Sequence, residues 1–96
     1  MERLDRFDVV AFGRTLNVVI ESALLPPTPA VVVIPLALDY PFVRFLNPFI
    51  TFERERYVLA TRLITPVRRA RVRKRGDVRE QDDIITRAVD VMMAGV

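Results

Sequence analysis

The chain has 96 residues, of which 51% are apolar and 28% charged, and its net charge is +3. That balance excludes a disordered chain, and the length holds one domain with a modest core, burying roughly 60–70% of its unfolded surface. Cysteine and histidine are absent and Ser22 is the single serine, so disulfides, thiolate metal sites and the usual nucleophile and general base are excluded; no cofactor, metal or catalytic residue is expected.

From the N-terminus, Phe7 to Phe12 is an apolar, β-branched run and Leu16 to Ile20 is another. Gly13-Arg14-Thr15 joins them as a hairpin loop. Pro26, Pro27 and Pro29 make Leu24 to Pro29 an extended loop. Val31 to Leu38 follows as a strand that is apolar on both faces, interrupted by Pro35, which cannot donate to a ladder. In so small a domain, such a strand implies that one face meets a second subunit. The stretch 30–38 is also far short of the roughly 20 residues that a membrane helix needs. The N-terminus mixes both charge signs, unlike a signal peptide. A soluble cytoplasmic protein without membrane contact is expected.

Asp39 to Asn47 reads as a loop or one helical turn. Pro48 to Glu53 and Tyr57 to Thr65 form a second hairpin around Glu53-Arg54-Glu55-Arg56. Pro66 is a break, and Val67 to Arg75 alternates as one strand with Arg69, Arg71, Arg73 and Arg75 on one side. Gly76 marks a turn. Asp77, three residues before Glu80, is a capping-box start for a helix from Val78 to Met93. Ile84, Ala88, Val91 and Ile85, Val89, Met92 recur at helical spacing, and Gly95 suits the C′ position. The expected fold is mostly β, with short antiparallel strands and one C-terminal helix.

Two features stand out as functional candidates. Six of the 15 basic residues fall within residues 68–75. They read as phosphate contacts, as a charged edge strand protected from aggregation, or as a dock for an acidic protein segment. No aromatic residues interleave with them, which disfavours a base-stacking platform. The apolar end Met92-Met93-Ala94-Gly95-Val96 is either a helix cap packed on the sheet or an exposed tip that enters a partner. The carboxylate pairs Asp82–Asp83 and Glu53–Glu55 read as a helix N-terminus and a charged turn.

Val18-Val19-Ile20-Glu21-Ser22-Ala23-Leu24-Leu25, then Pro29, then Val33-Ile34-Pro35-Leu36-Ala37 resembles the signature of the CcdB family of bacterial toxins. Pro48-Phe49-Ile50-Thr51, Tyr57-Val58-Leu59-Ala60-Thr61 and the terminal Ala88-Val89-Asp90-Val91-Met92-Met93-Ala94-Gly95-Val96 are similar to its later hairpin and helix. The resemblance implies a single domain with an SH3-like barrel, a homodimer, and inhibition of DNA gyrase by trapping its cleaved complex with DNA. It places gyrase A contacts at Ser22, Leu24, Leu25, Asp90, Met93, Ala94, Gly95 and Val96. It further implies a CcdA-like antitoxin with a disordered acidic tail, and operator DNA bound through the antitoxin complex. Arg69, Arg71, Arg73 and Arg75 are candidates for antitoxin or DNA contact. Ala94 departs from the best-known toxin, which has an aromatic ring there; loss of such an anchor costs about 2–4 kcal/mol in binding. The competing readings are a basic SH3-like nucleic-acid-binding module and a degenerate family member that binds antitoxin without poisoning gyrase.

Overall fold

The computed structural model describes residues 3–26 and 28–95. Its strands are β1 Asp8–Phe12, β2 Thr15–Val19, β3 Ala30–Ala37, β4 Phe49–Phe52, β5 Glu55–Leu59, β6 Thr65–Arg68 and β7 Val72–Asp77, and helix α1 Asp82–Ala94 ends the chain. All pairings are antiparallel, in the order β4-β5-β3-β2-β1-β7 with β6 added to β3, and the sheet curls into a half-barrel.

The β1–β2 turn is two residues long, with Phe12 paired to Thr15 and Gly13 at φ 60°. The β4–β5 turn places both Glu53 and Arg54 at positive φ, 50° and 67°. That backbone matches the right-handed strand twist, although non-glycine residues adopt it only at a cost.

β3 is the centre of the sheet. One edge pairs with β2; the other pairs with β6 over Ala30–Val33 and with β5 at Leu36 and Ala37. Pro35 lies where the partner changes. Its carbonyl accepts the Ala60 N–H at 3.0 Å, and its missing donor falls in the gap between β6 and β5. The strand therefore runs through the proline without a break.

Alternation sends Ile34 and Leu36 to one face, where Val9, Val18, Leu59 and helix residues Ile85 and Ala88 bury them. Val31 and Val33 point to the other face, against Leu4, Val10 and Val19, with Val67 and Val72 closing over them. Both faces of β3 are thus covered within one chain, so the doubly apolar run does not itself require a second subunit.

Five other expectations are corrected. The strand expected over Tyr57 to Thr65 stops at Leu59, because a 3-10 turn at Thr61–Leu63 intervenes; the Thr61 hydroxyl, which donates to the Leu46 carbonyl at 2.6 Å, anchors it. The arginine-rich run is two strands, β6 and β7, separated by a 3-10 turn at Arg69–Arg71. Pro66 lies inside β6, opposite Val32. Gly76 lies within β7 rather than in a turn, and an added Cβ would meet the Phe52 ring at 3.0 Å. The helix begins later than expected, at Asp82 after a 3-10 turn, and Asp77 accepts the Arg79 N–H at 3.1 Å instead of forming a reciprocal box with Glu80. Gly95 caps the helix in the left-handed region, as its position implies.

β4 and β7, the free ends of the curled sheet, are tied by side chains. Gln81 bonds both backbone groups of Thr51, donating to its carbonyl at 2.8 Å and accepting from its N–H at 3.0 Å. The pairing shifts between Val9–Gly76 and Val10–Lys74, so Arg75 is the extra residue of a bulge, and it pairs with Glu53 at 3.5 Å.

At the start of β1, Asp8 is fully buried. It accepts from Arg79 at 2.8 Å and from the Asp5 N–H at 2.7 Å, and Lys74 is 3.5 Å away. This carboxylate holds the N-terminal segment, β7 and the approach to α1 together, and it raises the pKa of the Arg79 guanidinium. Arg79→Met is expected to lower stability by about 2 kcal/mol; this is below the range for a fully buried pair because Arg79 is half in water and Lys74 remains. Asp82→Asn is expected to change stability by less than about 0.5 kcal/mol. Urea unfolding of both variants checks the contrast.

Candidate functional site

The loop after β2 is a braced turn. The Ser22 hydroxyl accepts the Leu24 N–H at 3.1 Å, and the Ser22 carbonyl accepts the Leu25 N–H at 3.2 Å. Asp5 accepts the Ala23 N–H at 3.1 Å and the Arg6 N–H at 2.7 Å, and Arg6 in turn donates to the Ile20 carbonyl at 3.1 Å. Ser22 therefore shapes the turn. Leu24, 90% exposed, and Leu25, 57% exposed, are what the turn presents. Rigid display of two leucines lowers the ordering cost that a partner must meet.

The second candidate group lies at the end of α1. Met93 is 76% exposed, and Ala94 and Gly95 are exposed beside it. Gly95 borders a shallow cleft of about 260 Å³ with Leu46, Arg62, Val91 and Met92. Gly95 is a left-handed cap, as one reading of this end has it, and Met93 stands out beside it. Val96 lies outside the described residues.

Asp90 links the two groups. It lines a cleft of about 190 Å³ between α1 and the sheet with Arg6, Phe7, Ile20, Ile85, Thr86 and Val89. Ile20 is also where the Ser22–Leu25 turn departs. Met93 and Gly95 do not line this cleft, so it does not join the turn and the helix end into one pocket. Asp5, Arg6, Leu46 and Arg62 are participants that the sequence did not single out. The Asp5–Ala23 bond spans 18 positions, and no local motif signals such a contact.

The four candidate arginines are dispersed. Arg69 turns back onto the proline loop, donating to the Thr28 and Ala30 carbonyls at 3.0 and 3.4 Å and approaching Glu21 at 3.8 Å. Arg75 pairs with Glu53. Arg71 and Arg73 are exposed, one at the end of the 3-10 turn and one in β7, and neither makes an ion pair among the described residues. The single arginine face expected from strict alternation does not form, because the 3-10 turn resets the register.

Among the described residues no group of three or more His, Cys, Asp or Glu could hold a metal ion, and no helix is long and apolar enough to cross a membrane. A curled antiparallel sheet with one terminal helix thus presents exposed apolar side chains at a hydrogen-bonded turn and at the helix end. The CcdB protein family model matches residues 11–95, and the chain belongs to that family. It is accordingly a toxin of the CcdB/CcdA kind, and such proteins are not enzymes. No curated protein matches the chain.

The two N–H donors from Ala23 and Arg6 hold the Asp5 carboxyl below the usual carboxylate range. A depressed folded pKa means that the bond's stabilisation is present above the unfolded value, about 4, and is lost as pH falls through the lower folded value. Amide exchange at Ala23 and Leu24 is therefore expected to quicken, relative to the core amides, in that acidic window. Asp5→Asn, which keeps an acceptor oxygen but does not titrate, should abolish the pH dependence.

Proposed function

We propose that the protein is a homodimeric, SH3-like poison of DNA gyrase that traps the enzyme's A subunit on cleaved DNA. The observation that carries this reading is the rigid exposure of Leu24 and Leu25 on the Ser22 turn, with Met93, Ala94 and Gly95 exposed at the end of α1. Apolar side chains displayed on hydrogen-bonded backbone are what a tip entering a partner's cleft requires. Asp90, on the rim of the intervening cleft, supplies a polar contact, and Val96 completes the apolar end by its place in the family pattern. Dimerisation would cover further apolar side chains such as Leu63, which is half exposed. A CcdA-like antitoxin would relieve the poisoning, and operator DNA would be reached through their complex. The dispersed arginines give less support to a nucleic-acid-binding module, because Arg69 and Arg75 already serve internal contacts.

Purified protein is expected to trap gyrase-cleaved DNA, and a chain lacking Gly95 and Val96 is expected to lose that activity. Leu24→Asp should also lose it without a change in melting temperature, since Leu24 makes little internal contact. Failure of the intact chain to trap cleavage in a plasmid assay would remove gyrase as the target.

Ala94 favours a second reading, in which antitoxin binding persists while poisoning has weakened. Under that reading Ala94→Trp should raise trapping potency by about 30-fold, equivalent to about 2 kcal/mol of anchor contact. Dose–response curves for cleavage by both chains separate the two readings: full potency with Ala94 supports the first, and a large gain with tryptophan supports the second.

A further inference from the structure

The cleft of about 190 Å³ between α1 and the sheet combines an apolar wall with two opposite charges. Ile85 is buried there, while Phe7, Ile20 and Val89 are only partly buried and leave apolar surface open to the cleft. Arg6 and Asp90 are exposed, so they stand at its mouth. Arg6 donates from Nε to the Ile20 carbonyl at 3.1 Å, which holds the guanidinium beside the cleft. Among the described residues neither Arg6 nor Asp90 forms an ion pair, with each other or with any other group.

Phe7 adds a second observation. Its φ of 72° lies in the left-handed region, which a bulky side chain enters only at a cost. Its N–H donates to the Val19 carbonyl at 2.8 Å and its carbonyl accepts the Val78 N–H at 2.9 Å, so the backbone cannot relax without giving up both bonds. Strain that the surroundings over-determine in this way concentrates at binding sites.

The charges and the volume together define a ligand. A guanidinium fork matches a carboxylate, and a carboxylate accepts from an ammonium. An anionic amphiphile would leave Asp90 facing like charge, and a cationic one would do the same to Arg6. Only a ligand that carries both charges satisfies both residues. An apolar cavity of about 150 Å³ holds a benzene ring, whereas pockets for drug-sized ligands begin near 300 Å³. The cleft therefore suits a single side chain of about that size, flanked by one carboxylate and one ammonium.

We propose that this cleft binds a free apolar α-amino acid as its zwitterion, with Arg6 taking the α-carboxylate, Asp90 the α-ammonium, and Phe7, Ile20 and Val89 the side chain. The site shares Asp90 alone with the residues assigned to gyrase, and its occupancy does not depend on that assignment.

The test titrates the full chain with L-leucine and follows the methyl-labelled protein by NMR. The methyl signals of Ile20, Ile85 and Val89 should shift with a Kd on the order of 1 mM, as a ligand this small allows, while those of Val33 and Val67 stay in place. Isocaproate, which lacks the ammonium, and isoamylamine, which lacks the carboxylate, should each bind at least about tenfold more weakly. Asp90→Asn should erase the preference for leucine over isocaproate, and Arg6→Gln the preference for leucine over isoamylamine; a merely structural role would weaken all three ligands alike. Asp83→Asn, which removes a carboxylate from the same helix outside the cleft, should keep leucine affinity within about twofold. The proposal is overturned if leucine leaves the cleft methyls unmoved well above that concentration, or if either singly charged analogue binds as tightly as leucine. It is also overturned if Asp83→Asn weakens leucine as much as Asp90→Asn does. None of these readouts involves gyrase, so failure here and failure of the poisoning mechanism are separate results.

Discussion

A central strand that is apolar on both faces imposes the fold. β3 cannot leave either face in water, so the chain must supply two covers. The helix covers Ile34 and Leu36. The β6 and β7 residues Val67 and Val72 cover Val31 and Val33. Both requirements act on one eight-residue strand, and they oblige the sheet to curl. The curl brings the ends of the sheet close enough for Phe52 to pack under Gly76 and for Gln81 to bond Thr51. Each methylene buried in this way contributes about 0.8 kcal/mol, and in a chain of 96 residues few can be spared.

That economy explains why the functional candidates lie at the rims. The core takes the helix face carrying Ile85 and Ala88, with Val89 partly buried against it, and leaves the edges of the apolar stripe on α1 uncovered. Ile84 and Met93 are therefore exposed. The Ser22–Leu25 turn leaves the sheet at the end of β2 and has no core of its own; hydrogen bonds to Asp5 and Ser22 hold it instead. Asp8 connects this bracing to the sheet, because it takes the Asp5 N–H and the Arg79 guanidinium at once. A buried carboxylate thus lies behind an exposed apolar turn, which couples the integrity of the N-terminal segment to the display of Leu24 and Leu25.

Much of this was legible in the sequence where a residue's role is local. Gly13 marked the first hairpin, Gly95 the helix cap, and the Val-Ile-Pro-Leu run the central strand. The expectations that failed share a cause: their outcome was set by contacts distant in sequence. Thr61 ends β5 because its hydroxyl reaches Leu46. Arg69 leaves the expected strand face because it bonds the Thr28 and Ala30 carbonyls, about 40 positions away. Alternation alone predicted one arginine face; a three-residue 3-10 turn was enough to divide it. Pro35 was rightly flagged as a missing donor, but only the exchange of β6 for β5 shows why β3 runs through it. For the candidate site, Leu24 and Leu25 came from the family resemblance and the helix end from its apolar run, whereas Asp5 came from neither, because its partner Ala23 lies 18 positions away in a separate segment.

The account's central claim is that target recognition falls on the Ser22–Leu25 turn and the end of α1. The most direct measurement is NMR of the methyl-labelled protein, titrated with the breakage-reunion fragment of the gyrase A subunit. The account predicts that the methyl signals of Leu24, Leu25, Met93 and Ala94 shift or broaden first, while those of Val72 and Leu38 stay in place. Perturbation centred on Val72 at the start of β7, with the leucine and methionine tips unmoved, would contradict it.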